Sequence, residues 1–169
     1  MADLTRGRVI AKVRAGESLE GADLSGLDIT GANLSSGDLK RANLNGANLT
    51  GAYLTGTHLE GASLERADLK SARLRSANLS EANLSGAKLI RTDMSGANLS
   101  GANLSDANLS DANLWKANLT GANLLHANLT RALMAMANLK DANLKHADLT
   151  DTKLIKAELT DTILPEGFE

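Results

Sequence analysis

Hydrophobic positions recur along this chain with an unusual beat: from residue 19 to residue 164 a large apolar side chain returns at every fifth position, thirty times without a miss. Twenty-seven of them are Leu, and the others are Ile29, Met94 and Met134. Two positions before each stands Ala, Gly or Thr in nearly every copy, and Asn, Asp, Ser, Thr and Gly fill most of the rest. A period of five suits neither regular element. In an α-helix five residues advance ~500°, so successive Leu would drift ~140° around the axis. In one long strand an odd period would place alternate Leu on opposite faces.

The pattern predicts a chain that turns once per repeat. Two inward positions, such as Ala22 and Leu24, are separated by one outward residue, Asp23, and followed by a two-residue corner, Ser25 and Gly26. Corners need positive φ or a side chain that bonds its own backbone, which is what Gly, Asn, Asp, Ser and Thr supply. Of the twenty-nine residues that directly precede the central position between Asp23 and Ile163, twenty are Asn or Asp. Arcs this short cannot bury their own Leu and must stack, so an all-β solenoid with a dry axis of Leu and Ala follows.

Charge placement indicates how many corners close one coil. Vertical neighbours lie ~4.8 Å apart, where opposite charges attract and like charges repel. At an offset of twenty residues the outward positions give seven opposite pairs: Glu20/Lys40, Lys40/Glu60, Asp68/Lys88, Arg73/Asp93, Arg91/Asp111, Asp111/Arg131 and Arg131/Asp151. Asp141/Asp161 is the one like pair. At fifteen the tally is four against four, and at twenty-five it is three against seven. Four repeats per coil and a square cross-section are therefore expected, with roughly seven coils and a length of roughly 35 Å.

Tandem A-[D/N]-L-x-x units such as Ala97-Asn98-Leu99-Ser100-Gly101 and Ala102-Asn103-Leu104-Ser105-Asp106 resemble the pentapeptide-repeat family. The resemblance spans about 150 residues and implies a right-handed quadrilateral β-helix; the handedness comes from the family alone. Two functional classes remain, the first read from the residues themselves and the second implied by the resemblance. One is a non-catalytic rigid scaffold for protein–protein interaction. The other is a mimic of duplex DNA that binds a type II topoisomerase and inhibits or protects DNA gyrase. A mimic needs rows of carboxylates near phosphate spacing. Here the expected ladders alternate in sign and no loop interrupts the thirty repeats, so the scaffold is the favoured expectation.

One Phe, one Tyr and one Trp are too few for an ordinary globular core, whereas a Leu every five residues supplies one continuous core. A formal net charge of −2 argues against a nucleic-acid binder, and the lack of Cys excludes a disulfide framework or thiolate site. No apolar run approaches the ~20 residues of a membrane span and no signal-peptide h-region is visible, so a cytoplasmic protein is expected; that it is bacterial is an expectation that goes with the family resemblance alone. Residues 1–16 differ in kind and are expected to form an N-terminal capping helix, opened by Asp3 or Thr5 and stopped by Gly16. Val9, Ile10 and Val13 would line one side, and Arg6, Arg8, Lys12 and Arg14 would face solvent or an acidic partner. The β-helix is expected over 17–164. A tail follows at 165–169, begun by Pro165, with Phe168 placed to fold over the last coil.

Catalysis finds no footing, because the many Ser and Thr sit at corners where their hydroxyls serve the turns. No enzyme activity, cofactor, metal or small-molecule substrate is expected. Asp106, His126, His146 and Glu166 share one column, so the two His are either an exposed stack or a pair able to share a divalent metal. The richest departure from the pattern lies on the side centred on Leu34, Leu54, Leu74, Met94, Leu114, Met134 and Leu154. Tyr53, Arg73 and Arg75 stand outward in its earlier coils. Trp115, Leu133, Ala135, Met136 and Ile155 follow, flanked by Lys116, Lys153 and Lys156. An exposed apolar patch with an aromatic anchor is the expected contact for a protein partner or for self-association, unless the C-terminal tail covers it.

Overall fold

The computed structural model describes residues 4–168. From Asp23 to Ile163 it carries twenty-five backbone bridges, every one parallel and every one joining residues twenty apart, from Asp23 to Asn43 through Asn143 to Ile163. Four repeats thus close each coil. The rung is regular: the Leu24 N–H donates to the Asn43 carbonyl (2.7 Å) and the Asn43 N–H donates back to the Ala22 carbonyl (2.9 Å). The sides are single bridges rather than extended strands. The reason is arithmetic, since a corner every five residues leaves only one residue per side free to pair in both directions with its vertical neighbours.

Each corner is a four-residue turn in which the N–H of the next inward residue donates to the preceding central carbonyl, as Ala102 does to Leu99 (3.0 Å). The third turn residue has positive φ at every corner from Gly21 to Asp161 while the second does not, the requirement of a type II turn. Eighteen of these third residues are not Gly, including Arg66, Lys116 and Met136. L-residues resist this conformation by roughly 1–2 kcal/mol. The corner N–H offsets the cost by donating to the next coil, as Arg66 does to the Ser85 carbonyl (3.0 Å).

The interior is a column of Leu and Ala at or near zero exposure from Ala32 to Leu144, each Leu contributing about 2 kcal/mol by burial. Where Thr replaces Ala, its hydroxyl reaches a central carbonyl one coil earlier: Thr57 Oγ1 donates to Leu34 (2.9 Å) and Thr92 Oγ1 to Leu69 (3.0 Å). Asn explains itself at the outward position. Its Oδ1 accepts the backbone N–H two residues on, as Asn98 does from Ser100 (3.2 Å). Its Nδ2 donates to the Asn one coil before, as in Asn118 to Asn98 (3.2 Å) and Asn98 to Asn78 (3.1 Å).

Helix α1 spans Arg6–Arg14 and covers the first coil. Thr5 is its N-cap, accepting from the Arg8 N–H (3.4 Å), and Gly16 follows at φ 70°. Asp3, the other expected cap, lies outside the described residues. Val9 is fully buried, with Leu4, Ile10 and Val13 packed beside it. Gly37 stands where other repeats carry Ala because a Cβ there would lie 3.2 Å from Val13 Cγ1 and 2.9 Å from the Leu34 carbonyl oxygen. Arg6 and Lys12 are engaged within the chain, with Thr30 and Glu17 respectively. At the far end Leu149, Leu154 and Leu159 are only partly buried. The tail is a partial cover, lying beside Ala147 and Leu149 and leaving Phe168 37% exposed.

The charge ladders form only in part. Arg131 grips both oxygens of Asp111 (2.7 and 2.8 Å), and Lys88 approaches Asp68 (3.9 Å), as the spacing predicts. Glu20, however, pairs with Arg41 rather than Lys40 (3.1 Å), and Asp93 pairs with Arg75 rather than Arg73. A long side chain on a ~4.8 Å ladder reaches diagonal neighbours as readily as vertical ones.

Three measurements test this architecture. In urea unfolding, Leu104→Ala, at a fully buried central position, is expected to cost about 2–5 kcal/mol. Leu159→Ala, in the half-open last coil, should cost clearly less; equal losses would deny a graded column. Gly121→Ala adds a Cβ that meets nothing within 4 Å, so its expected loss of about 1–2 kcal/mol isolates the left-handed corner. A neutral outcome would remove that constraint. Finally, Asp23, Asp28 and Asp148 are held below the ordinary carboxylate value of 3.8 by hydroxyls and N–H groups of Ser25, Thr30 and Thr150. Asp111 is lowered by the Arg131 guanidinium. Depressed native values contribute stability that is complete above the ordinary value and lost as pH falls through the native one. The thermal midpoint should therefore hold from pH 8 to about 5 and fall below about pH 4; a midpoint that rises on acidification would contradict these contacts.

Candidate protein-contact face

Numbering the sides of the coil by their first central residues, Leu19, Leu24, Ile29 and Leu34, puts the departures from the repeat on side four. The twenty-residue register stacks the positions just after the central residue into one column: Thr55, Arg75, Ser95, Trp115, Ala135 and Ile155. The positions just before it form the adjacent column: Tyr53, Arg73, Asp93, Asn113, Leu133 and Lys153. The two columns leave a shallow groove between them, walled by Arg75, Ser95, Trp115, Leu133, Ala135 and Ile155, with Lys153 at one end. Trp115 is 46% exposed and Ile155 66% exposed, and Ala135 is half-buried between them.

The structure sorts the expected contact residues into three groups. Trp115, Leu133, Ala135 and Ile155 share the groove. Met136 is exposed at the left-handed corner beside it (φ 59°), on the edge toward side one. Tyr53 lies three coils earlier, in a second hollow shared with Arg73, Arg75, Arg91 and Asp93. The C-terminal tail, seated against side three, does not cover the groove. Another exposed apolar residue, Ile163, stands apart on side two.

Cations stack on both aromatic rings of this side. The Arg73 guanidinium lies over the Tyr53 ring (4.7 Å) and the Lys116 ammonium over the Trp115 ring (4.4 Å). The first contact accounts for the corrected pairing: Tyr53 takes the charge expected to meet Asp93, and Asp93 accepts from Arg75 Nε and from Ser95 Oγ (2.8 Å). Burial pushes the Asp93 carboxyl up, but the bonds from Arg75 and Ser95 outweigh it and hold the group below its ordinary value. With both Asp111 oxygens held by Arg131, no carboxylate among the described residues lies within ion-pair distance of Arg91 or Arg73. Ring stacking was hard to foresee from sequence because it depends on which of two neighbouring columns a long side chain leans toward.

His126 and His146 stack with ring centroids 5.0 Å apart and planes 12° from parallel. Stacked faces set the ring nitrogens side by side rather than toward a common point. Among the described residues no three His, Cys, Asp or Glu side chains converge on a metal position. Several corner hydroxyls are engaged in turns, as in Ser25 Oγ to Asp23 (2.7 Å) and Thr30 Oγ1 to Asp28 (2.6 Å). Among the described residues no helix is long and apolar enough to cross a membrane. What side four offers chemically is contact: an apolar groove with aromatic and cationic edges.

Comparison with known proteins follows the same lines. The profile of the pentapeptide repeats matches in eight copies between residues 16 and 164. HetL, a pentapeptide repeat protein involved in heterocyst differentiation regulation from the cyanobacterium Nostoc sp. strain PCC 7120, is similar over 98% of this chain and 99% of its own, at 28% identity and a TM-score of 0.50. Rfr23, a pentapeptide repeat protein from the cyanobacterium Cyanothece 51142, is 41% identical over 54% of this chain and 63% of its own, with a TM-score of 0.54. No curated protein gives a significant match. The unbroken five-residue register, the twenty-residue coil and the profile match together place the chain in the pentapeptide-repeat family.

Proposed function

We propose that this protein is a non-catalytic rigid scaffold that works in the cytoplasm by holding side four against a protein partner. The coil is taken as right-handed, as the family resemblance implies. The observation that carries the reading is the groove of Trp115, Leu133, Ala135 and Ile155, left open on a solenoid whose other outward positions are overwhelmingly polar. Contiguous exposed apolar surface with an aromatic anchor is the physical mark of a protein contact. Rigidity favours the role, because a face fixed by a ladder of backbone bonds loses little conformational freedom on binding. HetL's part in the regulation of differentiation is compatible with such a task. A DNA mimic fits less well, since the edge column Arg91, Asp111, Arg131, Asp151 alternates in sign.

Replacing Trp115 and Ile155 together by Ser should leave the free energy of unfolding within about 0.5 kcal/mol of the parent, as surface changes generally do. The same double variant should lose the partner that the parent recovers from an extract of its native host. Equal recovery by both proteins would overturn the assignment of the contact to this groove. In a gyrase supercoiling assay the protein is expected to have no dose-dependent effect, and inhibition or protection would favour the topoisomerase reading.

A further inference from the structure

Charge is distributed very unevenly around the coil, although the chain as a whole is nearly neutral. Outward positions of side four carry five basic residues, Arg73, Arg75, Lys116, Lys153 and Lys156, against the single acid Asp93. Side one, across the next edge, carries seven acids against three bases. The groove on side four is therefore set in a positive field, and its two ends differ. Toward the N-terminal coils it opens onto Arg73, Arg75 and, at the neighbouring edge, Arg91. Toward the C-terminal coils its floor is apolar, from Trp115 through Leu133 and Ala135 to Ile155, with Lys116 over the Trp115 ring and Lys153 and Lys156 at its margin.

We infer that the partner of side four is a short extended protein segment, acidic at one end and apolar at the other, laid along the groove. This inference rests on the protein-contact reading above and adds the chemistry of the partner. From Arg75 to Ile155 is four coils, about 19 Å at ~4.8 Å per coil, the length of roughly six extended residues. Carboxylates at one end of such a segment meet Arg73 and Arg91, which have no carboxylate in ion-pair distance among the described residues, and apolar side chains at the other end cover Trp115 and Ile155. Guanidinium groups suit this task because they bind carboxylates in paired geometry and shed water readily.

Two other occupants suit the face less well. A two-fold dimer through side four would set five cations against five, and like charges across a contact are strongly unfavourable. A nucleic acid would find Arg73 and Arg75 separated from Lys153 and Lys156 by the apolar groove, where phosphates gain nothing.

The test is selection of peptides from a random twelve-residue display library on the immobilised full chain, followed by fluorescence anisotropy of the enriched peptides. Enriched sequences should cluster Asp or Glu toward one end and aliphatic or aromatic residues toward the other. Their affinity should fall at least tenfold on Arg73→Glu with Arg91→Glu, fall similarly on Trp115→Ser with Ile155→Ser, and weaken between 50 and 300 mM salt. Circular dichroism of each variant confirms that the coil is intact. Peptides that depend on Trp115 and Ile155 but show no acidic preference would overturn this inference and leave the contact reading standing. Peptides indifferent to both variants, or no enrichment at all, would overturn both. A dimer in sedimentation that is dissolved by Trp115→Ser, or binding of a labelled DNA duplex through Arg73 and Arg75, would replace the acidic segment by the other occupants.

Discussion

One constraint governs the molecule: the backbone turns through a left-handed residue every five positions, so the chain returns over itself after twenty. Every bridge in the coil depends on that closure. It places Leu over Leu in the axis, Asn over Asn on the sides, and each corner N–H beneath a carbonyl of the next coil. The order of cause is visible at the eighteen corners occupied by residues other than Gly. Arg, Lys and Met do not seek positive φ; the ladder holds them there because the hydrogen bonds on either side of the corner form only in that conformation.

That closure makes the outer surface a grid. Every outward position has a vertical neighbour and two diagonal ones, and side-chain chemistry is decided by which neighbour a group reaches. Asn is short and bonds straight along the column. Arg is long and has a choice: Arg131 takes the vertical Asp111, Arg75 takes the diagonal Asp93, and Arg73 takes the ring of Tyr53. A protein built this way needs no cavity to present a specific surface. It sets residues on fixed columns, and side four is where the columns cease to be polar.

How much was legible in advance follows from the same distinction. The buried column is periodic and apolar, so Leu19 to Leu164 announced the core, the corners and the coil without help. The count of four repeats per coil emerged from charge pairs, and the bridges bear it out even though Lys40, Arg73 and Arg91 do not make the pairs that suggested it. The helix stop at Gly16 and the burial of Val9 follow from local rules, whereas the role of Gly37 in making room for Val13 is a contact between elements that no local pattern contains. On side four the groove residues were visible as breaks in the repeat. The separation of Tyr53 and Met136 from them, and the two cation-stacked rings, needed three dimensions.

The central claim is the twenty-residue closure, and the absence of native Cys offers a direct test of it. Asn108 and Asn128 are bridged vertical neighbours, so Asn108→Cys with Asn128→Cys should oxidise to an intramolecular disulfide, its Cα atoms within the roughly 4.4–6.8 Å that the bond allows. Asn108→Cys combined with Asn123→Cys or with Leu133→Cys, at offsets of fifteen and twenty-five, should remain reduced under the same conditions. Rapid cross-linking at either of those offsets, with none at twenty, would contradict the four-sided coil.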